Sequence, residues 1–123
     1  RGGSPLATVR ILYWKEIPAQ VQAFGNDGTV SSQLAPRFQE GIDAIAMFDG
    51  AFESDDYVDA WDWREAGELA GDAADVSQRV AEHLNSQFPE DFVARIRDSQ
   101  RAGDRDITPG SLDEWSKGVL PPG

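Results

Sequence analysis

The chain has 123 residues, 40% hydrophobic and 27% charged, with a formal net charge of −11 and no cysteine. That length predicts one domain with a modest core, and the composition is that of a folding chain. The missing cysteine excludes disulfide frameworks, thiolate zinc sites and a cysteine nucleophile, and no apolar run approaches the ~20 residues of a membrane span, so a cytoplasmic protein is expected.

Arg1-Gly2-Gly3-Ser4-Pro5 reads as an expression scar and is set aside. Leu6 to Trp14 is rich in β-branched and aromatic residues, with Val9, Ile11 and Tyr13 on one parity, and predicts a central strand. Pro18 holds Ile17 extended and cannot donate to a ladder, so it marks a strand start or a bulge. Ala19 to Phe24 alternates small or apolar residues with amides, Gly25-Asn26-Asp27-Gly28 tolerates the backbone of a tight turn, and Thr29 to Leu34 returns as the second arm of a hairpin.

Pro36 suits the first position of a helix, Phe38, Ile42, Ile45 and Ala46 share one face, and Gly50 follows the end. Gly41 inside that helix costs up to ~1 kcal/mol relative to alanine, which implies a close helix–sheet contact. Ser54 is placed to cap a short helix carrying Asp55 and Asp56 in its first turn, with Tyr57, Val58 and Trp61 as its apolar side. Trp61 to Glu65 then alternates as a strand, closed by Gly67 and Gly71.

Ala73 to Phe88 carries Val76, Val80, Leu84 and Phe88 every four residues behind Asp72 as cap, and is the clearest helix. Glu90 to Ala102 has one apolar turn (Phe92, Val93, Ile96) and reads as a marginal helix, Gly103 to Gly110 as a linker. Ser111-Leu112-Asp113-Glu114 has the spacing of a capping box, and Leu112, Trp115, Val119 and Leu120 are the anchors of a docking tail. The element order predicts an α+β domain over residues 6–89: a small, mostly antiparallel sheet of three or four strands built on an N-terminal hairpin, with helices on one face. Residues 90–123 form the marginal helix, linker and irregular tail.

Charge is concentrated rather than spread. Residues 40–75 hold twelve acids against the single base Arg64, so that window carries the whole net charge and the two flanks cancel. Such a surface repels phosphate backbones and disfavours nucleic-acid partners.

Catalytic parts are scarce. His83 is the lone histidine and sits beside a buried helical stripe, so transition-metal and Cys/His chemistry lack components. No nucleophile elbow or phosphate loop is present, and neither a cofactor nor a metal is implied, which favours a non-enzymatic role. Asp55, Asp59 and Asp62 would share a helical face and gather oxygen ligands for calcium, although an acidic face usually only holds water. Trp61 and Trp63 beside acids suggest a sugar platform or, more simply, core packing.

The candidate site is the strand junction Tyr13 to Val21 together with the first helix. Trp14, Lys15, Gln20, Arg37, Gln39 and Trp61 combine aromatic, cationic and amide groups, a frequent mix at interaction hot spots. Lys15 and Glu16 read as a rim salt bridge worth under ~1 kcal/mol. Three uses stay open: a plain surface strand end, a docking patch for another protein, and a pocket in which Trp14, Lys15, Arg37 and Gln39 hold an anionic metabolite.

Tyr13-Trp14-Lys15-Glu16-Ile17-Pro18-Ala19-Gln20-Val21, Arg37-Phe38-Gln39-Glu40 with Ile42-Asp43 and Ala46-Met47, and Asp56-Tyr57-Val58-Asp59-Ala60-Trp61 resemble the small bacterial domain family called virulence factor, over roughly residues 7–88. The resemblance implies a bacterial protein, found alone or as the C-terminal part of a larger conserved virulence factor, and carries no reaction with it. The expected partner is therefore another bacterial protein, with no nucleic acid or membrane involved and the oligomeric state left open.

Overall fold

Alternation in the first strand decides the architecture. In β1 (Leu6–Trp14), Ala7, Val9, Ile11 and Tyr13 are buried while Thr8, Arg10 and Leu12 stay partly exposed, so one sheet face belongs to the core and the other does not. The computed structural model describes residues 5–51 and 55–121; the expected Ser54 cap and residues 1–4 of the expected scar lie outside them. β2 (Ile17–Gly25), β3 (Gly28–Gln33) and β4 (Trp61–Ala70) complete an antiparallel sheet of order β3-β2-β1-β4, with β1 central as expected. The β2–β3 turn lies at Gly25–Gly28, where Gly28 takes φ +105°. Asp27 Oδ1 of that turn accepts the Ala73 N–H at 2.9 Å, a bond that holds its carboxyl below the usual range.

The three longer helices gather on the core side of the sheet. α1 (Pro36–Phe48) buries Phe38, Ile42, Ile45 and Ala46, and α3 (Ala73–Gln87) buries Val76, Val80 and Leu84 against the first three strands. Asp72 Oδ1 caps α3 by accepting the Asp75 N–H at 2.8 Å. α4 (Phe92–Ala102) is a full helix that buries Phe92 and Ile96 and ends at the left-handed Gly103. Rings of Phe38, Phe88 and Phe92 lie 5.4–5.6 Å apart between α1 and α4. The close approach predicted at Gly41 exists, but it is helix–helix: a Cβ there would collide with the Phe92 ring of α4.

Two irregularities shape the bare face. Leu12 pairs with Gln20 and Tyr13 with Pro18, leaving Ala19 as an extra residue in β2, so Pro18 marks both a strand start and a bulge, the two outcomes its residue type left open. In β4 the pairing steps from Glu65 to Gly67, so Ala66 is extra and Gly67 takes φ +126°. α2 (Asp56–Asp59) is a single turn lying over one end of this face; it ends before Asp62, which sits on β4. The shared helical face assumed for Asp55, Asp59 and Asp62 therefore does not form.

The C-terminal segment is docked. Val119 is buried and Leu112, Trp115 and Leu120 pack on the core, Trp115 with its ring 5.9 Å from Phe88. A 3-10 turn (Asp113–Ser116) replaces the predicted capped helix, and Ser111 spends its hydroxyl on the Asp106 carbonyl rather than on a cap. His83 Nε2 meets the Ser116 and Gly118 carbonyls at 2.9 and 3.0 Å, so the lone histidine ties the tail to α3.

Candidate functional site

The β1–β2 junction is a buried ion network. Lys15 takes a left-handed backbone (φ 51°) in the two-residue turn, which sends Glu16 inward, where it is 1% exposed. Arg105, from the expected linker, grips Glu16 with two bonds of 2.7 and 2.9 Å and reaches Asp49 at the end of α1 at 2.8 Å. Lys15 Nζ binds the other Asp49 oxygen at 2.8 Å. Burial alone would raise the Asp49 pKa, but the hydrogen bonds and charges of Arg105 and Lys15 outweigh it and hold the carboxyl below its ordinary range. The expected Lys15–Glu16 rim pair is not made. Beside this network the Tyr13 hydroxyl donates to Asp113 Oδ1 at 2.9 Å. Burial first, then the Asp113 charge and hydrogen bond, push the Tyr13 pKa upward, and burial raises Asp113 against that same hydrogen bond. Every partner is spoken for, so the cluster is a clamp.

The opposite sheet face has open space. Cross-strand pairing sets Trp63, Leu12, Gln20 and Gln33 in one row and Glu65, Arg10, Gln22 and Ser31 in the next. The Arg10 guanidinium lies over two aromatic rings, 4.2 Å from the centre of Trp63 and 5.0 Å from that of Phe24, and donates to Gln22 at 2.6 Å. Phe24 and Leu6 are 36% and 55% exposed on this face. A groove of about 530 Å³ runs between the first turn of α1 and the sheet, lined by Leu12, Gln20, Gln33, Gln39, Glu40 and Trp61 among others. A second, of about 710 Å³, lies on the other side of Trp61 and includes Lys15, Asp59, Asp62, Arg64 and Ile107. Trp61 borders both.

The six predicted site residues divide. Gln20, Gln39 and Trp61 converge on the first groove, and Lys15 lines the second while paired to Asp49. Trp14 has no exposed surface: its indole N–H donates to the Tyr57 carbonyl at 2.8 Å beneath α2, so it is core and the expected exposed patch at Trp14 is absent. Arg37 donates to the carbonyls of Asn85, Phe88 and Pro89 at 2.9–3.1 Å and closes the end of α3. Sequence reasoning missed Arg10, Phe24 and Leu12 as surface and Glu16, Asp49 and Arg105 as a unit. The alternation of Thr8, Arg10 and Leu12 with the buried parity was the readable signal for the first group.

Among the described residues no group of three or more histidine, aspartate or glutamate side chains could hold a metal, and no helix is long and apolar enough to cross a membrane. A family model described as "Virulence factor" matches residues 12–96, and the chain belongs to that family. No curated protein and no solved structure matches it.

Proposed function

We propose that this domain is a non-enzymatic interaction module of a bacterial protein system, and that its contact surface is the bare face of the sheet with the groove at Trp61. The supporting observation is that this face carries an aromatic and aliphatic stripe (Leu6, Phe24, Trp63, Leu12, Trp61) that, among the described residues, only α2 and the first turn of α1 border. Exposed apolar surface rimmed by polar residues is the usual mark of a binding site. The anionic-metabolite alternative loses its cations, since Lys15 is held by Asp49 and Arg37 by three carbonyls.

Immobilised chain tests this against extracts of its host. Gln20→Arg with Glu65→Arg should abolish recovery of the partner, while Glu82→Arg on the helical side should leave it intact. Equal recovery by all three proteins overturns the reading.

A further inference from the structure

We infer that the partner presents a cationic extended segment, with an arginine or lysine side chain seated over Trp61 between the two grooves; this rests on the interaction reading above. Trp63, two residues along the same face, already holds a guanidinium, that of Arg10 at 4.2 Å. Trp61 meets Tyr57 edge-on at 6.1 Å and has no described cation over its ring, although it borders open space on both sides.

Charge around it is unbalanced. Among the described residues the cations of this surface are engaged: Lys15 with Asp49, Arg64 with Asp62, Arg10 with Gln22 and two rings. Glu40 in the first groove, Asp59 in the second and Glu65 beside Trp63 have no ion pair or side-chain hydrogen bond among the described residues. A desolvated cation over an indole gains most when carboxylates lie at its rim, and a neutral or anionic segment would leave these acids facing apolar surface. Gln20 and Gln33, cross-strand neighbours in the first groove, likewise spend no amide hydrogen bond among the described residues. They can donate to and accept from a main chain. Four strands at ~4.8 Å spacing make a face that spans about 14 Å, enough for four or five extended residues.

The test is titration of the whole chain with a ten-residue peptide alternating arginine and leucine, against the same peptide with citrulline or glutamate for arginine, followed by tryptophan fluorescence and NMR shift mapping. The arginine peptide should bind at least about tenfold tighter than the citrulline one, since cation–π contact and rim charge are lost together. Trp61→Leu should weaken it about tenfold and Glu40→Gln with Asp59→Asn about fivefold. Glu82→Gln with Asp98→Asn, of equal charge but on the helical side, should leave affinity unchanged. Equal binding of the citrulline peptide, an equal loss in that control, or shifts confined to α3 and α4 overturns the inference. If the peptides fail while the Gln20→Arg/Glu65→Arg variant still loses the host partner, the cationic segment is wrong and the interaction surface stands.

Discussion

Replacing Arg105 by methionine should be the most damaging single surface-loop change in this chain. The guanidinium makes two bonds to Glu16 and one to Asp49 at 2.7–2.9 Å, and its side chain is 5% exposed. Its removal leaves Glu16 as a buried anion without a cation, a loss of about 3–5 kcal/mol. A domain of this size holds about 5–15 kcal/mol in all, so the melting temperature should fall by roughly 10–20 °C. Glu16→Leu with Arg105→Met removes both charges and should recover to within about 1.5 kcal/mol of the parent, because the large term is the orphaned charge and not the attraction itself. Urea denaturation of the parent, both singles and the double gives the coupling energy directly. The pH dependence has a fixed sign. The Asp49 carboxyl is depressed in the folded state, so its stabilisation is present above the ordinary carboxylate range and fades as pH falls through the folded value. Arg105→Met should therefore lose less on acidification than the parent. A single variant costing under about 1 kcal/mol, or singles that add in the double, refutes the clamp.

Three further outcomes follow from the packing. Gly41→Ala should destabilise by about 1–3 kcal/mol despite better helix propensity, because its Cβ meets the Phe92 ring; adding Phe92→Leu should return part of that loss in thermal melts. Burial holds the Asp113 carboxyl above its ordinary value, so its contribution is full below the unfolded pKa and is lost as pH rises through the folded one. Asp113→Asn keeps an acceptor for Tyr13 and cannot ionise, so its stability relative to the parent should improve as pH rises above about 4, measured by denaturation at several pH values. Arg37→Met should cost about 1–3 kcal/mol and speed amide exchange at the end of α3, yet leave partner recovery unchanged.

The fold was legible where one local signal decided the outcome. Pro36 at the first helical position, the Asp72 cap and the four-residue spacing of Val76, Val80 and Leu84 needed no distant partner, and each is found as expected. Pro18 signalled a strand start or a bulge for the same reason, since a missing N–H breaks a ladder wherever it falls, and it stands at both. Gly103 to Gly110 misled because glycine and charge are also the composition of a linker, and nothing local says that Arg105 reaches a glutamate 89 positions earlier. Ser111 misled in the opposite way: the capping spacing is present, but the Asp106 carbonyl competes for its hydroxyl.

The site was half legible because a sequence shows which chemistries are near each other and not which are already satisfied. Trp14, Lys15 and Arg37 looked like recognition groups, yet the indole N–H, the ammonium and the guanidinium are each consumed inside the fold. Gln20, Gln39 and Trp61 looked no more promising, and they are the three that line the first groove. The acidic window divides in the same manner. Asp49 is drawn into the clamp with Arg105 and Lys15, whereas Glu40, Asp59 and Glu65 remain along the grooves. The family match ends at residue 96, and Arg105 lies beyond it while Glu16 lies within it. The segment after α4 therefore supplies the cation for Glu16 and, with Lys15, for Asp49, while Glu40, Asp59 and Glu65 of the matched region stay along the grooves that border the half-buried Trp61.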